Sequence, residues 1–186
     1  VFRSPYAGIM HLFLFWGVTI QILGTAVNLM QMKLFTPFEL ATFPRESLYL
    51  GYELAMDLAG GAILLGVAMA LWRRLVLRPA TLPNTLASFV PPVLLLLIAL
   101  AGFLTEALRF VIVDPPWRAW SPIGNVAAGW LAALGVTPQI NPVIHEAMVW
   151  THATLGVALV ACIPFTKLRH LVVVPLHIAL RPRLRT

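Results

Sequence analysis

Four long runs of apolar residues, interrupted only by isolated polar positions, organise the chain: residues 6 to 30, 47 to 72, 86 to 113 and 142 to 165. Each reaches the about 20 residues that an α-helix needs to cross the hydrocarbon of a bilayer. The connections differ in character. Residues 31 to 46 carry Pro37 and Pro44, residues 73 to 85 are basic and carry Pro79 and Pro83, and the longer segment 114 to 141 opens with Asp114-Pro-Pro-Trp117. Within that segment, Ile123 to Leu134 predicts a short helix lying on the outer surface or capping a cavity. No internal repeat and no low-complexity linker is visible. The pattern predicts an all-α membrane protein, a four-transmembrane-helix bundle forming a single domain over residues 1–186 with a basic tail from 167 to 186.

Composition agrees with the pattern. Sixty per cent of the residues are hydrophobic and 11% charged, whereas a soluble domain has about a quarter of its residues charged. The net charge of +6 reads as orientation and not as a nucleic-acid surface, because basic residues in membrane chains concentrate on the cytoplasmic side. Counting the flanks, nine Lys and Arg fall on the side of both termini and three on the other. Both termini are therefore expected in the cytoplasm. The single cysteine, Cys162, excludes an internal disulfide and any four-cysteine metal or iron-sulfur centre.

Histidines remain as candidate metal ligands. His11 falls on the first span, His145 and His152 on the fourth, His170 just beyond it and His177 in the tail. Seven residues separate His145 from His152 and eighteen separate His152 from His170, so all three return to one helical stripe over about 27 Å from His152 to His170 if Pro164 only kinks the helix. An imidazole in hydrocarbon is costly and points to function. Bis-histidine ligation of haem b fits this set, with Gly17 and Gly24 on the first helix giving room for the porphyrin. A structural reading has His11 and His152 hydrogen-bonding across the bundle.

His11-Leu-Phe-Leu-Phe-Trp-Gly17 with Leu23-Gly-Thr25, Gly102-Phe-Leu-Thr-Glu106-Ala-Leu-Arg109, Trp150-Thr-His152 and Ile163-Pro-Phe-Thr-Lys-Leu-Arg-His170 together resemble the nitrate reductase gamma-subunit family. The likeness is greatest to its branch of heterodisulfide reductase membrane subunits, dissimilatory sulfite reduction membrane subunits and membrane-bound iron-sulfur oxidoreductases. The resemblance implies a cytochrome b subunit of a bacterial or archaeal cytoplasmic membrane. Such a subunit passes electrons between quinone, expected to be menaquinone, and a cytoplasmic iron-sulfur protein or a fused iron-sulfur domain following Thr186. It also implies one or two haems b: His11 with His170 near the cytoplasm, and His152 belonging to a second haem nearer the outer face. The first-helix ligand of that second haem falls at Gln21, a poor ligand for iron, and His11 with His152 is the alternative pairing for a single haem. Lys167 and Arg169, beside His170, are candidates for the propionates. A cofactor-free membrane anchor or assembly subunit is the competing function, and a transporter has little support without inverted repeats.

Four ionisable groups remain at membrane depth. Glu106 and Arg109 lie three apart on one helical face, suiting either a structural ion pair or, with His145, a quinone site where a carboxylate takes the protons of quinol oxidation. Glu53 and Asp57 are four apart. One of them is expected to carry a proton or a hydrogen bond, from Tyr49 or Thr25.

Overall fold

A computed structural model describes residues 4–30, 46–79, 85–139 and 142–166, together with 169, 170, 173, 176, 177 and 180. Among the described residues it contains five α-helices and no strand: α1 (Pro5–Met30), α2 (Glu46–Trp72), α3 (Leu86–Val113), α4 (Pro122–Ala133) and α5 (Pro142–Cys162). Four of them, all but α4, are long and apolar enough to cross a membrane. The fold class and the four spans expected from the apolar pattern are thus present.

Helix α1 packs chiefly on α2, α2 on α3, and both α4 and α5 on α3. The reason α1 approaches α2 closely is a stripe of small residues. A Cβ on Gly17 would lie 2.8 Å from Ile63 Cγ1 and 2.9 Å from the Ala59 carbonyl oxygen, and one on Gly24 would run into Met56. Small residues at such positions let helix backbones meet where apolar lipid gives no hydrophobic drive for association. Tyr6 and Tyr52 add hydrogen bonds along this seam, donating to the carbonyls of Met69 at 2.9 Å and Gly24 at 3.1 Å. The room expected to admit a porphyrin beside Gly17 and Gly24 is taken up by α2.

The two glycines should differ in tolerance. At Gly17 the obstruction includes backbone, which cannot rotate away, so Gly17→Ala is expected to lower unfolding stability in detergent by about 1–3 kcal/mol. Gly24 meets only the flexible end of Met56, and Gly24→Ala should cost less. Equal losses in a denaturant titration would contradict this assignment.

Ile63, Val67, Leu95 and Ala99 form the apolar centre, with Leu14, Val18 and Leu159 packed around them from α1 and α5. A second cluster, Ala107, Phe110 and Ala128, joins α4 to α3.

Two helix exits depart from the expected pattern. Helix α2 continues into a π-helical turn, Arg73–Leu77, closed by Arg78 in the left-handed region with φ 41° and its N–H on the Arg73 carbonyl at 3.0 Å. Helix α5 stops at Cys162, followed by a turn over residues 163–165 and a bend at Thr166. Pro164 therefore ends α5 instead of kinking it, because proline has no N–H to donate and clashes with the preceding turn. The unbroken stripe from His152 to His170 is corrected accordingly: His170 lies past a change of chain direction.

Candidate functional site

Polar groups gather where the first turn of α4 meets α2 and α3. Glu53 and Asp57 of α2 are 7% and 3% exposed and Ser121 is fully buried. Glu53 lies seven residues and Asp57 eleven residues inside the start of α2, about 10 and 16 Å along its axis. Glu106 is likewise seven residues from the end of α3, about 10 Å. These acids are well inside their spans.

Each has a specific partner. Tyr49, one turn before Glu53 on the same helix, donates its hydroxyl to Glu53, and Ser121 donates to the same carboxylate at 3.4 Å. Arg109 Nη2 lies 3.5 Å from Glu53 and 3.9 Å from Glu106. The expected ion pair between Glu106 and Arg109 is present, but the closer carboxylate comes from α2. Of the two donors expected for the acid pair, Tyr49 is the one that bonds, to Glu53, whereas Thr25 is exposed.

Asp57 has a role the sequence did not disclose. It accepts the backbone N–H groups of Ile123 at 3.0 Å and Gly124 at 2.8 Å. These are orphan donors of the first turn of α4, normally taken by the side chain at the N-cap. Ser121 occupies the N-cap without making that bond, so a carboxylate 66 residues earlier in the chain caps α4 from another helix. The partial positive charge of the helix start stabilises the acid in return. Ser121-Pro122 is the sequence signal that could have revealed it, since proline at the first helical position is typical of a helix start. Helix α4 thus departs from a purely interfacial placement: Gly124 and Ala128 are buried against α2 and α3, while the large side chains of Val126 and Trp130 face outward. Gly124 permits this packing, since a Cβ there would meet the Glu106 carboxylate. Trp117 stands edge-on to Tyr49 at 5.6 Å, with its indole N–H buried and lacking a hydrogen-bond partner among the described residues.

His145, grouped with Glu106 and Arg109 from the sequence, sits half-buried in the first turn of α5. Among the described residues it makes no hydrogen bond to the acid cluster.

His152 is half-buried on α5 with Nδ1 3.0 Å from the carbonyl oxygen of Ile98 on α3. A carbonyl accepts only, so Nδ1 is the donor here, and the neutral ring in this tautomer has its lone pair on Nε2. Metal-bound imidazoles commonly show this arrangement, the remote N–H held by a backbone carbonyl. Gly102 clears the space, since a Cβ there would stand 3.0 Å from His152 Cε1. Leu159, one heptad after His152, and Val18, one heptad after His11, both border the central apolar cluster. His11 itself is exposed on α1.

Gln21, at the position of a second first-helix ligand, donates its amide to the Met56 carbonyl at 2.9 Å and lies beside Gly60 and Phe103. It ties α1 to α2. His170 and Arg169 are exposed beyond the end of α5; Lys167 lies outside the described residues. Among the described residues no group of three or more His, Cys, Asp or Glu is placed to hold a metal ion, a test that a two-histidine haem site does not have to pass.

The chain is 29% identical over 181 residues to an EtfAB:quinone oxidoreductase of Syntrophomonas wolfei subsp. wolfei (strain DSM 2245B / Goettingen). The match covers 92% of this chain and 24% of that protein, so the chain spans about a quarter of its relative's length. No solved structure matches. With residues 8–185 matched by the description "Nitrate reductase gamma subunit", the chain belongs to the nitrate reductase gamma-subunit family.

Proposed function

We propose that this chain is the cytochrome b membrane domain of a quinone-linked oxidoreductase, passing electrons between the quinone pool and a cytoplasmic iron-sulfur unit, as a separate protein or as a further part of the same polypeptide. Family membership and the quinone oxidoreductase named above support electron transfer in the membrane. The observation that carries the haem reading is His152, whose tautomer leaves Nε2 bare beside a glycine clearance.

Haem b, when bound, supplies a one-electron iron couple held by two axial imidazoles. The donor set fits one such group: with the Gln21 amide spent on Met56, α1 offers one histidine, His11, and α5 offers His152, each on a stripe that borders the same apolar cluster. His170, past the turn at Pro164, is the competing partner for His11. Arg169 and Lys167 are placed in sequence to meet propionates at the basic end, which the charge asymmetry assigns to the cytoplasm.

At the other end, Glu53, Glu106, Arg109 and Tyr49 provide what quinol oxidation asks of a protein: hydrogen-bonding groups for the head group and carboxylates able to take protons. Arg109→Gln removes the cation shared by two acids. It is expected to slow quinol-driven reduction of the purified domain about 10- to 100-fold, the weight of a charged hydrogen bond, while leaving dithionite reduction intact. Unchanged quinol kinetics would remove Arg109 from the site.

A cofactor-free anchor is the second reading, favoured by the same His152–Ile98 bond, which is also what a structural histidine makes. A pyridine haemochrome assay separates the two: about one haem per chain is expected, and none would end the cytochrome reading.

A further inference from the structure

Charge in this chain is segregated more completely than orientation requires. Among the described residues, no Asp or Glu lies at the end of the bundle where α2 exits and α3 enters. Arg74 stands at that end, in the π-helical turn, with its guanidinium 5.7 Å over the ring of Phe89 on α3. Asp57, the nearest acid on α2, is seventeen residues from Arg74, and Glu106, the nearest on α3, is seventeen from Phe89; both separations are about 25 Å of helix.

Arg74 is also not a freely solvated anchor. Its Nη1 is buried and has no hydrogen-bond partner among the described residues. The neighbouring Arg78, in contrast, is exposed and bonds the Leu75 carbonyl through Nε at 2.8 Å. A buried guanidinium N–H without an acceptor is costly, and no carboxylate among the described residues is placed to reach it. The π-turn, which inserts an extra residue and turns the following side chains, is a feature often found at functional positions. Here it delivers Arg74 onto Phe89.

We propose that Arg74 is the fixed half of an oxyanion site at this end of the bundle, completed by a phosphate or carboxylate from outside the chain. The two sources available to a membrane cytochrome are a lipid phosphate and a haem propionate. Planar guanidinium suits either, since it presents paired donors to two oxygens. The propionate source rests on the haem reading above; the lipid source does not.

The test uses the purified domain in detergent, with Arg74→Gln, Arg74→Lys and the exposed control Arg78→Gln. Phosphatidylglycerol, and a phosphate-free glycolipid with the same acyl chains, are titrated and followed by native mass spectrometry and thermal unfolding; the haem midpoint potential is measured in parallel. If lipid phosphate fills the site, Arg74→Gln binds phosphatidylglycerol at least tenfold more weakly and loses the lipid-induced rise in Tm. Arg74→Lys, which keeps the charge without the paired donors, should then keep part of both, and Arg78→Gln and glycolipid binding should be unaffected. If a propionate fills it, lipid binding is unchanged and the potential of Arg74→Gln falls, because a cation beside the haem has been removed. Should Arg74→Gln match Arg78→Gln in both measurements, the proposal is overturned. A domain without haem would end the cytochrome reading yet leave the lipid measurement able to decide this one.

Discussion

In a His152→Ala variant the reduced-minus-oxidised α-band of haem b is expected to vanish, with haem per chain falling from about one towards zero. The expectation rests on ligand chemistry: iron needs the bare Nε2 that the Ile98 carbonyl secures by holding the proton on Nδ1, and second-sphere bonds of this kind also matter for metal affinity. His11→Ala should have the same effect. Gly102→Ala should weaken haem retention without abolishing it, since the added methyl would press on the imidazole 3.0 Å away and shift it. His170→Ala decides the pairing: under the His11–His152 assignment the band survives. Loss of the band in His170→Ala together with its survival in His152→Ala would overturn that assignment and pair His11 with His170.

The largest effect on stability is expected at Asp57. Alanine there removes the acceptor of two backbone N–H groups, those of Ile123 and Gly124, in a place where the acid is 3% exposed. An abandoned buried donor costs about 1–3 kcal/mol, so for two donors roughly 2–6 kcal/mol of stability should be lost. Asparagine keeps one carbonyl oxygen and should lose about half as much. Denaturant titration in detergent gives the magnitude. Limited proteolysis gives the place, with new cleavage expected between α3 and α4 while α1 and α2 stay protected. Full stability in Asp57→Ala would show that α4 is held by its apolar contacts with Ala107 and Phe110 alone.

The spans were legible because one physical rule dominates them: a helix in lipid must be apolar over its whole length, whatever it packs against. The Glu106–Arg109 pair and the Tyr49–Glu53 bond were legible for a similar reason, since a helix brings residues three or four apart together without help from the fold. What could not be read was contact at long range. Arg109 sits closer to Glu53 than to Glu106, and nothing in the local spacing of either helix encodes that. Asp57 serving α4 depends on where the chain turns after Val113. Pro164 illustrates a different limit, because proline is compatible with either a kink or a stop and the surrounding structure selects. Gly17 and Gly24 were recognised as spacers, but the residues that fill the space belong to a helix whose register the sequence leaves open.

The bond between Asp57 and the amides of Ile123 and Gly124 also imposes an order on biogenesis. When α2 leaves the ribosome, the segment that will cap onto Asp57 is 66 residues away and not yet made. Glu53 already has Tyr49 on its own helix, but Asp57 must enter the membrane without its final partners. Helix α2 is therefore finished as an element long before it is finished electrostatically. The docking of α4 is the late event that completes it, so a chain truncated before Ile123 would carry an intact α2 with an uncompensated acid in its buried face.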